Sequence, residues 1–414
     1  EQLNLTTASR RLADLLAQAG ILGETLERRL DAQGVTLGHF PSSIYCSTLG
    51  GWLAARSAGQ LSTYYGKIED RVLDLVLVTS EGETLAASEL VPGCPAAETA
   101  QLVLGTEGTA AVIVEAELAV HPKPESREFL SARFRTVERG LDSIRDLLQA
   151  GVVPAAVRLY DHLDTLLVAR PHRHEGAGLS SHWLAPSGQA ARHRLAFLLE
   201  LSPLASVLGP RLPGGCLMVL TFEGPREVAL AGAQVAAGRF ERSRAVLLGP
   251  GPARDWWEHR YDVSYKQSPV YDRGGLVDTI EVAATWDRLV PLYRRMRAAI
   301  GRRALVLAHF SHAYQEGCSI YFTFIHRAES FERARATYAR VWRLALDACL
   351  AAGGTITHHH GVGLLKRAAY AVERKGAWQA LETLSTAFDP AGILNPGKLG
   401  KPLGRGPNPA CDGL

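Results

Sequence analysis

Two rhythms of hydrophobic and polar positions run along the chain, one near 3.6 residues and one of 2, and the switches between them mark its elements. Leu12, Leu15, Leu16, Leu26 and Leu30 recur at helical spacing with Gly20 and Gly23 between them, which predicts two short helices over residues 8 to 33. From 34 to 66 the rhythm stops. Ser47-Thr48-Leu49-Gly50-Gly51-Trp52 reads there as a close-approach loop, because glycine lets backbone come near a ligand. Residues 71 to 79 alternate like a half-buried strand, Ser80-Glu81-Gly82 turns, and 83 to 86 return as the second strand of a hairpin. A further strand over 112 to 120 is closed by Pro122 and Pro124, and a domain boundary is expected near 126.

Beyond the boundary strands and amphipathic helices alternate. Strands are expected at 130 to 135, 155 to 160, 216 to 222, 277 to 283, 304 to 312 and 320 to 326. Helices are expected at 137 to 150, near 192 to 207, at 225 to 237, from 285 and at 330 to 351, and residues 172 to 188 read as an irregular excursion. That order suggests an α+β layer with helices on one face of a sheet.

Composition narrows the classes. The chain has 414 residues, 47% hydrophobic and 21% charged, with a net charge of +3, which fits a globular protein of two domains and excludes disorder, collagen and coiled coil. Only seven of its 45 basic residues are Lys and the Arg are scattered, so nucleic acid is not expected as a partner. The arginine preference suggests a GC-rich bacterial source. Six cysteines lie far apart without a CxxC pair, which excludes a zinc ribbon or small disulfide framework and suggests a reducing compartment. Glu1-Gln2-Leu3-Asn4 offers neither an initiator Met nor a basic leader, so the chain is expected to begin inside a longer protein.

The most unusual local feature is His358-His359-His360 among Gly353, Gly354, Gly361 and Gly363. A helical zinc site wants His at i and i+4, whereas three consecutive imidazoles splay, so no metal is expected. The glycines imply tight backbone beside a ligand, with imidazoles available as acid, base or anion donor, or a capped turn with buried His. Residues 47 to 59 and Gly105-Thr106-Glu107-Gly108-Thr109 are two further Gly/Ser/Thr segments, able to hold a pyrophosphate or a polar ring edge through backbone N–H groups.

These segments, with Gly38-His39, Tyr65-Gly66-Lys67-Ile68-Glu69-Asp70, Pro154-Ala155-Ala156-Val157-Arg158-Leu159, Ile320-Tyr321-Phe322-Thr323-Phe324 and the His triplet followed by Gly361-Val362-Gly363, resemble the vanillyl-alcohol-oxidase-type FAD-binding flavoproteins, and within them the alkyldihydroxyacetonephosphate synthase branch. The ending from Asp389-Pro390 to Lys398-Leu399 is common to the wider family. The resemblance implies an α+β, two-domain flavoprotein: an FAD domain over 1–126, a substrate cap over 127–370 and a C-terminal segment, 371–414, returning to the FAD side. It implies FAD as cofactor, with contacts at Ser42, Ser43, Ser47, Thr48, Gly50, Gly51, Arg56, Ser57, Glu107, Gly108, Thr109, Val112 and Ile113. Tyr321 would be the catalytic acid/base, a role a Tyr can fill if neighbouring imidazoles or a cation lower its pKa. His39 and His358 to His360 would line the site, and Arg158, Lys266 and Thr279 would hold a substrate anion.

In the reaction of that branch the flavin N5 acts as a nucleophile, the acyl group of acyl-dihydroxyacetone phosphate leaves, and a long-chain alcohol takes its place. Such chemistry implies a lipid-like substrate, a cytoplasmic protein with peripheral membrane contact, and a homodimer as a further expectation. Ser42, Ala55, Ala58 and Ala111 depart from the family's usual residues, Lys266 stands near the place of a phosphate-binding Arg, and the family's Pro-x-Gly-Gly-Gly-Thr pyrophosphate loop has no counterpart in the chain. The FAD domain is therefore expected to be incomplete, lacking its first subdomain. Two other readings stay open: an FAD-linked oxidase or dehydrogenase of a small hydroxy acid or alcohol, and a non-catalytic remnant that binds flavin weakly or not at all.

Overall fold

The structure is a computed structural model that describes residues 4–6, 13–168, 214–262, 268–272, 274–327 and 329–399. Its contacts divide the chain into two units, Glu1–Lys123 with Ile356–Leu414, and Pro124–Thr355.

The first unit is built on β1 (Asn4–Thr6), β2 (Ala13–Gln18), β3 (Val35–Thr36), β4 (Val72–Val78), β5 (Thr84–Ala86) and β6 (Val112–Pro122). They form an antiparallel sheet in the order β1-β2-β6-β4-β5, with β3 also on β6. β2 corrects the expectation of two helices. Leu15, Ala17 and Ala19 are buried while Leu16 and Gln18 are exposed, a period of two that pairing with β6 exploits. Leu12, Leu15 and Leu16 suit either element on spacing alone, and the backbone bonds to β6 decide. The second expected helix is present as Gly23–Asp31, burying Leu26 and Leu30. The β4–β5 hairpin turns at Gly82 (φ +84°), where Thr79 Oγ1 accepts the N–H groups of Glu81 and Glu83.

Part of the expected 34-to-66 loop is helical. Leu49–Ala55 buries Leu49, Trp52 and Leu53, begins where Thr48 Oγ1 accepts the Gly51 N–H, and stops at Arg56 in the left-handed region. Its two glycines lower helix propensity, and the buried Trp and Leu outweigh them.

The second unit holds β7 (Ser126–Phe134), β8 (Ala156–Tyr160), β9 (Cys216–Gly224), β10 (Val246–Gly249), β11 (Gly275–Thr285), β12 (Leu305–Ala313) and β13 (Gly317–Arg327). All neighbours are antiparallel, in the order β10-β7-β9-β8-β12-β13-β11. Register sorts the side chains into two faces. Leu159, Phe222, Phe310, Phe322 and Phe324 point one way, and four long helices cover them. Gly140 of Val137–Gln149 sits on Leu159, Gly232 of Arg226–Arg242 on Phe222, and Tyr293 of Trp286–Gly301 against Phe310 and Phe322. Tyr338 of Phe331–Ala351 packs on Phe324. These helices follow the apolar spacing of the sequence, for example Leu289, Leu292, Met296 and Ile300. The shorter helix Gly251–Glu258 packs on part of the opposite face, where Ser131 Oγ accepts the Ala253 N–H.

The chain re-enters the first unit at Ile356, ahead of the sequence-based boundary at 370. Glu107 holds the loop after the His triplet, and Glu373 accepts the Ile356 N–H, which ties residues 356 to 370 to the first unit. The expected helix near 192–207, the excursion at 172–188 and Lys266 lie outside the described residues.

Candidate active site

On the face of the second sheet opposite those four helices, register alone lines up four residues. Tyr160 of β8 is opposite His309 of β12, His309 is opposite Tyr321 of β13, and Tyr321 is opposite Glu281 of β11. His309 stacks on Tyr321 with ring centroids 4.7 Å apart and planes 13° apart. Arg158, two residues before Tyr160 and so on the same face, brings NH2 to 2.9 Å from His309 Nε2. One strand step from Tyr321, the hydroxyls of Thr279 and Thr323 meet at 3.1 Å.

His312 reaches Tyr321 by a different device. Three residues after His309 on a regular strand it would point to the helix-covered face. The β12–β13 register slips between Ser311 and Ala313, leaving His312 as the extra residue of a bulge with φ +52°. A non-glycine residue there is held by its surroundings at a cost of about 1–3 kcal/mol. The bulge re-aims the imidazole, and Nε2 lies 2.7 Å from the Tyr321 hydroxyl.

Burial sets the charge states. The Tyr321 phenol is pushed well above the usual tyrosine range by burial and by Glu281, with Arg158 pulling the other way. Tyr321 therefore rests protonated, a donor positioned against an imidazole. His309 is driven well below the ordinary histidine range, first by burial and then by Arg158, so it rests neutral. Behind β8 the turn after Tyr160 is anchored on Asp161, which is paired with Arg297, accepts the Tyr293 hydroxyl at 3.1 Å and caps the Asp164 N–H at 2.9 Å. That turn presents Asp164 Oδ2 to His309 Nδ1 at 3.3 Å.

The first unit carries an open cleft of about 380 Å³. Thr48, Gly50, Gly51, Glu107, Gly108, Val112 and Ile113 line it, joined by Ala19 and Gly20. A Cβ added at Gly20 or Gly108 meets no atom within 4 Å, so these glycines leave room that another residue would take up. Val112, 49% exposed, offers an apolar wall. Glycine edges with an apolar wall fit a flat ring system such as a flavin. Among its lining residues the cleft has no Lys, Arg or His, so a phosphate there depends on backbone N–H groups and Thr hydroxyls.

Other residues expected at the cofactor are occupied elsewhere. Arg56 spends its fork on the carbonyls of Leu104 and Gln101, because its left-handed backbone (φ +50°) turns the side chain under Gly105. Ser43 and Ser47 bond each other, and Ser47 accepts the Trp52 indole N–H at 2.7 Å. Ser42 accepts from Gln60, the Ser57 N–H goes to the Trp52 carbonyl, and Thr109 is buried with its hydroxyl on the Thr106 carbonyl. None of these six lines the cleft.

Glu107 serves both features of this unit. It lines the cleft, and its carboxylate accepts the Val362 N–H and, at 3.0 Å, the Gly363 N–H. The loop carrying the His triplet is therefore fastened to the loop 105–109. His358 and His359 meet through their Nδ1 atoms at 3.0 Å, and His359 lies edge-on to His360 at 4.5 Å between centroids. His39 is 2% exposed, packs on Trp52 at 4.7 Å, and has neither ring nitrogen hydrogen-bonded. Burial, helped by His359, lowers its pKa to about 3, so the imidazole rests neutral.

The expected residues thus fall into two groups: Arg158, Tyr321 and Thr279 on one face of the second sheet, and the His triplet with the cleft residues in the first unit. Sequence reasoning missed His309, His312, Asp164 and Glu281. The motif His309-Phe310-Ser311-His312 was the available signal, but two His three apart on a strand read as facing opposite ways, and only the bulge unites them.

Comparison with known proteins agrees with the flavin assignment. Residues 123–399 match the family described as FAD linked oxidases, C-terminal domain, and residues 9–88 match an FAD binding domain. The chain is 30% identical to alkyldihydroxyacetonephosphate synthase of Dictyostelium discoideum over 94% of its own length and 62% of the relative's. It is 28% identical to the synthase of Trypanosoma brucei brucei, covering 92% of this chain and 61% of that one, so it spans about six-tenths of these curated relatives. A solved alkyldihydroxyacetonephosphate synthase structure superposes with a TM-score of 0.70 at 27% identity, covering 95% of this chain and 66% of that one. A glycolate oxidase subunit of Bacillus subtilis matches at 25% over 92% of this chain and 74% of its own length. The synthase relatives are eukaryotic and lend no support to a bacterial source.

Proposed function

The chain belongs to the FAD-linked oxidase family, and from that premise we propose that this alkyldihydroxyacetonephosphate synthase-like, FAD-dependent enzyme exchanges the acyl group of acyl-dihydroxyacetone phosphate for a long-chain alcohol. The observation that carries the proposal is the row on the second sheet, which sets a cation beside a phenol–imidazole pair.

Arg158 suits the phosphate, since its guanidinium is charged at any working pH and makes strong paired bonds to such anions. Tyr321, resting protonated, can give a proton to the departing carboxylate. To remove the proton beside the ketone it first passes its own to His312, 2.7 Å away. Thr279 and Thr323 offer hydroxyls one strand step along. In the first unit, Gly20, Gly51, Gly108 and the Val112 wall would hold FAD, which when bound supplies the nucleophilic centre that the acyl exchange requires. A lipid-like substrate and peripheral membrane contact go with this reading.

The test incubates the FAD-loaded protein with acyl-dihydroxyacetone phosphate and labelled hexadecanol. Labelled alkyl product with one fatty acid released per turnover, and no net flavin reduction, is the expected outcome. Flavin bleaching by a 2-hydroxy acid under anaerobic conditions, with no alkyl product, would favour an oxidase like the glycolate oxidase relative.

A further inference from the structure

On the reading of Arg158 as the cation for the substrate anion, we infer that His309 is a positioning residue: held by Asp164 as its Nδ1–H tautomer, it offers Nε2 to Arg158 and its ring face to Tyr321, fixing cation and phenol relative to each other.

The tautomer follows from the partners. A guanidinium can only donate, so His309 Nε2, 2.9 Å from Arg158 NH2, must accept and carries no proton. A neutral imidazole then bears its proton on Nδ1, and Asp164 Oδ2 lies there at 3.3 Å. The ring between these contacts is 14% exposed and cannot swing without losing both bonds and the Tyr321 stack. Asp164 is itself fixed, because its N–H is capped by Asp161 and Asp161 is paired with Arg297. Arg158 further lies over the Tyr160 and Trp256 rings, each 5.8 Å from the guanidinium carbon. Its direction is set from two sides, by the imidazole acceptor on one and by Tyr160 and Trp256 on the other.

This chain of contacts separates two roles that one substitution would confuse. His309→Gln keeps an acceptor for Arg158 and a donor for Asp164 but loses the aromatic stack. His309→Phe keeps the stack and leaves Arg158 without its acceptor. A residue that merely fills space would tolerate Phe at least as well as Gln.

The primary measurement is long-range ¹H–¹⁵N correlation on unmutated, histidine-labelled protein at neutral pH, with His309 assigned by its disappearance in His309→Gln. The Nδ1–H tautomer is expected, and the commoner Nε2–H tautomer or an imidazolium would overturn the inference. Calorimetric binding of dihydroxyacetone phosphate gives the second readout. His309→Phe should weaken it about 10-fold or more and His309→Gln less than about threefold, as expected for one charge-assisted bond. Equal losses in both, or none in Phe, would also overturn it. Arg158→Met separates the two readings: unchanged binding in that variant would remove the anion role of Arg158 and with it the binding readout, and the tautomer of the unmutated protein would then decide the positioning role alone.

Discussion

The cleft around Gly20, Gly51 and Gly108 presents almost no side-chain chemistry, whereas the row from Tyr160 to Glu281 presents little else. In the cleft the useful groups are backbone edges and the space that absent Cβ atoms leave, and the one ionisable lining residue, Glu107, bonds to backbone of the same unit. On the sheet face the useful groups are buried, paired and shifted in pKa, and they rest on an ion pair one layer back. A binding surface made of backbone can serve a large flat cofactor through shape. Proton chemistry needs side chains whose charge states are set by burial, and these need partners.

The comparison breaks most visibly if the cleft is filled. Gly51→Leu has open space apart from Thr48 Oγ1 at 3.4 Å and replaces glycine within a helix, so the protein should remain folded while bound flavin, and with it all turnover, is lost. Absorbance of the purified protein reads this, and a yellow variant would contradict the assignment of the cleft. On the other side, Arg158→Met should raise KM for the acylated phosphate by about 10- to 100-fold, the worth of a bond to a charged group, with flavin absorbance unchanged.

A smaller effect is expected where the first unit uses a side chain for structure. Glu107→Ala leaves the Val362 and Gly363 N–H groups without their carboxylate and should lower stability by about 3 kcal/mol, read by chemical denaturation, with the His loop losing amide-exchange protection. Full protection in that variant would show that the loop is held by other contacts.

The smallest effects are pH slopes, and two buried groups of the first unit oppose each other. Glu27, whose pKa burial raises from 4.5 to about 7, contributes stability that is fully present below 4.5 and is lost as pH rises through 7. His39, lowered from 6.5 to about 3, contributes stability that is present above 6.5 and is lost as pH falls toward 3. The shifts are worth about 3 kcal/mol for Glu27 and about 5 kcal/mol for His39, and where the windows overlap, between 4.5 and 6.5, the slopes largely cancel. Denaturation midpoints should therefore fall with rising pH in His39→Phe and rise with it in Glu27→Gln. Parallel curves in the two variants would refute the opposition.

Much of this arrangement is legible in the sequence, for physical reasons. β4 follows period-2 alternation, most strands of the second sheet follow short apolar runs, and the long helices follow buried stripes such as Leu141, Ile144 and Leu148. That Gly50, Gly51 and Gly108 share one cleft agrees with their reading as close-approach glycines. β2 was not legible, because Leu12, Leu15 and Leu16 fit two periods and only pairing with β6 selects one. The partners of Arg56 and His39 were not legible either, since nothing local reveals that a guanidinium reaches carbonyls 45 and 48 residues away or that an imidazole packs on Trp52. His312 was hidden most completely: its role depends on one extra residue in a strand, a register event between β12 and β13.

The division of labour is tested most directly by loading Tyr321→Phe with FAD and measuring the bound-flavin spectrum and alkyl product in the same sample. The account predicts an unchanged flavin spectrum with turnover reduced by about 10²-fold or more, the usual worth of a positioned acid/base. Product formed at the unmutated rate, or a protein that no longer holds flavin, would contradict it.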